Sequence, residues 1–319
     1  MNDKWYNIFI ETLRKIYPKN KELTDALMNL LCLEREAVYR RLRKDVAFTA
    51  TEIVQIVTAW HISFDDIVEK HPNGISFKGY LLDYLNPSAE DSDMMQTTVL
   101  MLEHIKKFPD LEYLEISNKI PRILYTGYPH LNRFSLLKWR YQYADEKTIT
   151  FDQSVYLPEI AKHSLEYHES AKKLSNVNFV WDNKLFETLV SDILYFHSIY
   201  LITDAEKAMI KKELLDLLNY LSEIAIKGSW PENNNKVNLY ISQLNIDTNY
   251  NYFYYSGKVQ LCCVQIFGKN ELYSTNSAVL GDFRTWMQSK KKSSVLISAA
   301  NEKSRIEFFI RQRALVNTL

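Results

Sequence analysis

Glycine is nearly missing from this chain: 7 in 319 residues, about 2% against a usual ~7%. Backbone cradles for phosphates and dinucleotides are built from glycines, so nucleotide-handling sites of that kind are disfavoured. Cysteine is scarce as well. Cys32 stands alone and Cys262-Cys263 are adjacent. Three is odd, and neighbours in a strand point to opposite faces, so no disulfide framework is implied. A reducing, cytoplasmic setting is expected. No long apolar run exists: the best stretch, 185–202, is interrupted by Glu187, Asp192 and His197, whereas a membrane span needs roughly 20 nearly unbroken apolar residues. The opening Met1-Asn2-Asp3-Lys4-Trp5-Tyr6 places an acid and aromatics where a secretory segment would begin. Net charge is absent too. The 39 Lys and Arg balance 39 Asp and Glu, which argues against a wholly basic nucleic-acid coat but permits a local basic face.

What is present is apolar and aromatic. Hydrophobic residues make up 46% of the chain, with 21 Tyr and 15 Phe, enough for real cores and against disorder. The length predicts about two domains. Residues 1–75 read as five short helices. Trp5, Ile8, Phe9, Leu13 and Ile16 mark one face of the first, Leu23, Leu27, Leu30 and Leu31 of the second, and Ala37, Val38 and Leu42 of the third. Thr49 and Glu52 form a capping box that opens a fourth helix, with Ile53, Ile56, Val57 and Trp60 inward; Ser63 to Asp66 cap a fifth.

After a turn at His71-Pro72-Asn73-Gly74, a helix is expected over 77–85 and a polar, acidic linker over 86–93. Residues 94–230 read as long helices over 94–108, 131–143, 158–174, 185–200 and 205–226, the last closed by Lys227-Gly228. β-rich runs follow over 237–244, 250–255, 258–267 and 271–274, with Ser256-Gly257 as a hairpin tip. A helix over 279–289, a strand over 294–297 and a helix over 301–316 complete the chain. The expected class is mainly α: a five-helix domain (1–75), a connecting helix and linker (76–93), a helical region (94–230) and an α+β module (231–319).

Charge is unevenly shared inside the first domain. Residues 13–44 hold nine Lys and Arg against four Asp and Glu, whereas 45–70 hold one against five. Arg35, Glu36, Tyr39 and Arg40 lie on the side of the third helix opposite Ala37, Val38 and Leu42. Arg35 and Arg40 suit guanine O6/N7, whereas Arg43 and Lys44, near the helix end, suit phosphates.

Residues 23–66 resemble the helix-turn-helix domain of phage-repressor-type (Cro/C1, Xre) transcription regulators. Leu27-Met-Asn-Leu-Leu31 is similar to the end of that family's second helix, Cys32-Leu33-Glu34 to its turn, and 35–44 to its recognition helix with Val38 buried. Ile62-Ser-Phe-Asp-Asp-Ile67 is similar to the family's closing helix. Cys32 replaces the turn glycine, Met28 a small residue of helix 2, and Lys44 the glycine that often follows the recognition helix. The resemblance implies double-stranded DNA as partner, a homodimer, and DNA contacts from Arg35, Glu36, Tyr39, Arg40, Arg43 and Lys44. A helix-turn-helix-like interaction module that does not read DNA is the alternative.

The block from Phe283 to Arg313 resembles the C-terminal part of large regulators of this type from Bacteroidetes, a region of dimerisation or effector sensing. Ser294, Ser298 and Arg305 are the candidate ring around a small-molecule effector, because the start of the last helix offers free N–H groups. Tyr250, Tyr252, Tyr254 and Tyr255 are sheet surface, a dimer contact or a ligand wall.

Enzyme signatures are poor. Gly74-Ile-Ser-Phe-Lys-Gly79 has the spacing of a phosphate loop but is followed by Tyr80-Leu81 instead of Lys-Ser/Thr. His163 and His168 are five apart, off one helical face, and no third ligand has metal spacing. Cys262-Cys263 is expected to be a buried small apolar pair. No catalysis, metal or cofactor is expected.

Overall fold

A computed structural model describes residues 4–60, 62, 67, 77–83, 86, 88–143, 149–248 and 250–319. They form two units, Met1–Ser76 and Phe77–Leu319.

The first unit contains α1 (Lys4–Ile16), α2 (Asn20–Leu31), α3 (Arg35–Leu42) and α4 (Ala50–Ala59). Its core joins Phe9, Leu13, Leu23, Leu27, Val38, Leu42, Ile53 and Ile56. The buried stripe of α1 is rotated from the expected one: Tyr6 and Ile10 go inward while Ile16 is exposed. Tyr6 explains the rotation, because its hydroxyl accepts the Phe48 N–H at 2.9 Å beneath the core. The Thr49–Glu52 capping box forms in both directions. Glu52 also takes two hydrogen bonds from Arg41, at 2.9 and 2.8 Å, which ties α3 to α4. The expected fifth helix begins at Ser63, outside the described residues; Ile67 is buried in the same core.

Two residues of this unit carry left-handed backbone. Cys32, at the end of α2, has φ 53° and donates its N–H to the Met28 carbonyl. Lys44, just past α3, has φ 70°, and the neighbouring Asp45 N–H returns to the Arg40 carbonyl. Both turns therefore take the conformation that favours glycine, without a glycine to fill it.

The second unit is built on one eight-stranded sheet. Its strands are β1 (Lys78–Tyr80), β2 (Glu112–Ser117), β3 (Asn176–Trp181), β4 (Lys236–Ser242), β5 (Tyr250–Tyr255), β6 (Gln260–Ile266), β7 (Asn270–Ser274) and β8 (Ser294–Leu296). They lie in the order β1-β7-β6-β5-β2-β3-β4-β8. β2, β3 and β4 run parallel, with Tyr113 opposite Val177 and Phe179 opposite Leu239. Every other pair is antiparallel, including β5 on β2.

Around it lie α5 (Ala89–Ile105), α6 (Arg122–Tyr125), α7 (Pro129–Tyr143), α8 (Pro158–Ala171), α9 (Glu187–Ser198), α10 (Asp204–Lys227), α11 (Ser277–Lys292) and α12 (Glu302–Asn317). One sheet face, with Tyr113, Phe179, Trp181, Leu239, Tyr254 and Cys263, packs against α5, α7, α8, α9, α10 and α12. The other face, with Leu114, Ile116, Val180, Phe253 and Cys262, is covered by Val279, Leu280 and Met287 of α11. The adjacent cysteines thus enter opposite cores, as strand alternation requires.

Four expectations are corrected. The class is mixed α+β rather than mainly α, because 94–230 contains β2 and β3, the centre of the sheet. One sheet draws strands from both sides of 230/231, so the helical region and the α+β module are one body. Both strands are covered on both faces and lack the alternating pattern of a half-exposed strand. Where a helix is expected over 77–85, Lys78–Tyr80 form strand β1, and 84–85 lie outside the described residues. The acidic linker over 86–93 is largely the start of α5: Ser88 and Asp91 form a capping box, and the Asp91 carboxylate accepts the Asp83 N–H at 3.1 Å. Among the described residues no helix is long and apolar enough to cross a membrane.

A left-handed backbone costs a non-glycine residue roughly 1–2 kcal/mol. Cys32→Gly is expected to stabilise α2 and α3 by about 0.5–1 kcal/mol, and β-branched Cys32→Val to destabilise them by about 1 kcal/mol. Hydrogen exchange of their amides in the full chain reads both; equal protection in the two variants would contradict the turn geometry.

Candidate functional site

The cations of α3 and its end are used unequally. Arg41 is held inside by Glu52. Arg35 donates to the Asp25 carboxylate at 3.0 Å, and both side chains are exposed. Arg43 bridges Glu36 at 2.9 Å and Asp45 at 3.1 Å; these two carboxylates, Asp45 foremost, push its guanidinium pKa up. Lys44 donates to the Asn7 side-chain carbonyl. Tyr39 is half-buried and Arg40 exposed, and among the described residues no side-chain partner holds Arg40. Exposed ion pairs are weak and yield to a competing anion, so Arg35, Arg40 and Arg43 leave exposed guanidinium groups on and beside α3.

The other candidate ring does not form. Ser294 donates to the Lys290 carbonyl at 2.8 Å, and buried Ser298 accepts the Leu239 N–H at 2.9 Å. Arg305 donates to the carbonyls of Ile297 and Ala300, both at 3.3 Å. Ala299 and Asn301 are left-handed, which folds 297–301 so tightly that its carbonyls face Arg305. The three residues close the turn between β8 and α12 instead of ringing a pocket.

A different cluster lies beside the carboxyl ends of β2 and β3. The sheet changes from parallel to antiparallel between β2 and β5. Here Lys119 and Ile120 follow β2, Leu185 follows β3, and α7 supplies Lys138 and Trp139 around a cavity of about 200 Å³. A second cavity, of about 400 Å³, shares Arg122 and Lys269 with the first and is walled by Met94, Met95 and Met101 of α5.

Beside them lies a network of buried and half-buried polar groups. The Glu271 carboxylate accepts the hydroxyls of Tyr250 and Tyr252, each at 2.5 Å, and faces Arg122 at 3.4 Å. The Arg122 guanidinium sits 5.1 Å from the centre of the Tyr167 ring. Lys269 donates to the hydroxyls of Ser135 at 2.9 Å and Tyr156 at 2.8 Å. Burial, with Arg122 nearby, brings the Lys269 pKa down to about 7. Glu115 is fully buried and its Oε2 accepts the Tyr113 hydroxyl; burial pushes its pKa up to about 8. Burial also raises the Cys263 thiol, leaving it protonated and unreactive.

Backbone packing holds this arrangement. A Cβ on Gly127, next to Thr126, would stand 2.4 Å from the ring of His168. That ring, with its Nδ1 2.7 Å from the Ile123 carbonyl, anchors α6 to α8. His163 is likewise buried, beside Glu166 at 2.8 Å, so both histidines pack helices.

Sequence reading found one side of the cluster and missed the rest. Tyr250 and Tyr252, singled out as a possible ligand wall, line the two cavities. Tyr254 is core, and Tyr255 lies 3.8 Å below the Arg284 guanidinium. Glu115, Arg122, Lys269 and Glu271 come from distant segments with no local motif. No protein-family model, curated protein or solved structure matches the chain.

The two shifted groups give stability opposite pH slopes. Folded Glu115 keeps its proton to about pH 8 and the ordinary carboxyl only to 4.5, so its contribution is complete below 4.5 and lost as pH rises through 8. Lys269 sheds its proton near 7 instead of 10.5, so its burial penalty is complete below 7 and relieved as pH rises. Glu115→Gln is expected to remove the fall and Lys269→Met the rise in urea unfolding from about pH 4 to 10. Curves parallel to the parent in both variants would contradict these environments.

Proposed function

We propose that the chain is a sequence-specific DNA-binding transcription regulator of the phage-repressor type, a cytoplasmic homodimer binding double-stranded DNA. The observation that carries this reading is the geometry from α2 to α3. The two positions where the family pattern has glycine, Cys32 and Lys44, are both left-handed, so a glycine-free sequence makes the turns that pattern needs. α3 then presents Arg35, Glu36 and Arg40 on an exposed face, with Tyr39 half-buried beside them and Arg43 and Lys44 at its end. Arg35 and Arg40 read base edges and Arg43 and Lys44 hold phosphates. Glu36 and Asp25 orient the arginines before DNA arrives. The sheet unit supplies dimerisation and senses a small-molecule effector; no catalysis is assigned to it.

The test separates the two roles. Arg40→Ala is expected to cost ~1–3 kcal/mol on the preferred site and to relax base choice at one position. Arg43→Ala is expected to weaken all sequences alike and reduce the salt slope by about one. Equal losses on every sequence for both variants, or binding indifferent to salt, would sink the assignment and favour an interaction module.

A further inference from the structure

The larger cavity of the sheet unit, about 400 Å³, has the size of a small-molecule pocket, roughly 300–1,000 Å³. Met94, Met95 and Met101 of α5, with Leu82 and Leu261, form its apolar wall, and methionines adapt to irregular apolar shapes. Met94, Thr97 and Tyr273 are exposed at its rim.

The charged side chains that line it are engaged within the chain. Arg122 faces Glu271 at 3.4 Å, and Glu271 also accepts the hydroxyls of Tyr250 and Tyr252. Lys269 donates to the hydroxyls of Ser135 and Tyr156 and stands 5.5 Å from the centre of the Tyr156 ring. Neutral groups of the wall are engaged as well: Ser164 donates to the Ile160 carbonyl at 2.8 Å, and the Asn270 side-chain carbonyl accepts the Leu82 N–H at 2.8 Å. A charged ligand would give up its water for a largely apolar space whose ionic groups already have partners, which is unfavourable. A neutral ligand avoids that loss.

Two buried hydroxyls of the same wall lack a partner. Tyr167 and Thr126 both line the cavity and are 3% and 7% exposed. Neither the Tyr167 hydroxyl nor Thr126 Oγ1 has a hydrogen bond within the chain, and leaving such groups unsatisfied is unfavourable. Thr126 ends α6, one turn past Arg122, and the Arg122 guanidinium lies 5.1 Å from the centre of the Tyr167 ring. Both hydroxyls therefore belong to the corner where α6 meets α8. A hydroxyl can donate and accept, so this corner suits one neutral hydroxyl or carbonyl.

We infer that the cavity binds a neutral, largely apolar small molecule, its single hydroxyl or carbonyl at the α6–α8 corner and its alkyl or aryl body against the methionines of α5. The site deepens the effector part of the proposed function yet stands on the cavity's own chemistry. A chain that binds such a molecule but selects no DNA sequence would refute the regulator and keep the site. A sequence-selective chain that binds none would refute the site and keep the regulator.

The test is calorimetric titration of the full chain near neutral pH with 1-octanol and 4-phenyl-2-butanone, against octanoate and octylamine. At least one neutral probe is expected to bind at least tenfold more tightly than either charged one. The double variant Tyr167→Phe with Thr126→Val deletes only the unpartnered hydroxyls. It is expected to fold at least as stably as the parent in thermal unfolding and to bind the neutral probe about fivefold or more weakly. Met101→Trp fills the cavity and is expected to abolish binding. Octanoate or octylamine binding as tightly as the best neutral probe, a folded variant of either kind binding like the parent, or no neutral probe binding at millimolar concentration would each overturn the site. Should Met101→Trp fail to fold, the probe comparison and the double variant decide alone.

Discussion

The carboxylate of Glu271 holds together the part of the sheet unit on which its chemistry depends. It stands on β7 and takes two tyrosine hydroxyls from β5 while facing Arg122, the first residue of the helix that follows β2. The network therefore joins the antiparallel side of the sheet to the loop beyond its first parallel strand. The two Glu271 oxygens thus meet three donors. Lys269, two residues before Glu271, is held by the hydroxyls of Ser135 and Tyr156. Burial keeps Glu115 protonated near neutral pH.

The helical unit solves the opposite problem. Its acids are spent on the surface, where Asp25, Glu36 and Asp45 hold Arg35 and Arg43 by ion pairs that water and salt weaken. Arg41 is different: with its partner Glu52 it is mostly buried and fixes the packing of α3 on α4. One helix therefore carries a structural arginine and a displaceable set. Zero net charge over the chain thus hides a local surface on and beside α3 where exposed arginines gather.

Legibility in the sequence followed how local each signal was. The capping box at Thr49 and Glu52, the hairpin at Ser256-Gly257 and the opposed burial of Cys262 and Cys263 each need only a few adjacent residues, and each appears as expected. Ser88 to Asp91 shows the limit of composition, since a polar acidic run is equally a linker and a helix cap. β2 was hidden because Glu112-Tyr-Leu-Glu-Ile-Ser117 places a carboxylate in the core, where only the tertiary partner Tyr113 and a raised pKa accommodate it. Ser294, Ser298 and Arg305 have effector-site chemistry, but left-handed turns at Ala299 and Asn301 commit them to their own backbone. The cavity cluster was illegible because its members meet only when the sheet places β7 on the same side as β5 with two strands between it and β2.

The central claim, that α3 reads base edges, is tested most directly by selecting bound sequences from random DNA duplexes with the full chain. The account predicts an enriched, two-fold symmetric sequence with half-sites about 10 base pairs apart or a multiple of that, and loss of that enrichment in Arg40→Ala. Duplexes recovered without any sequence enrichment, or the same enrichment in Arg40→Ala, would contradict it.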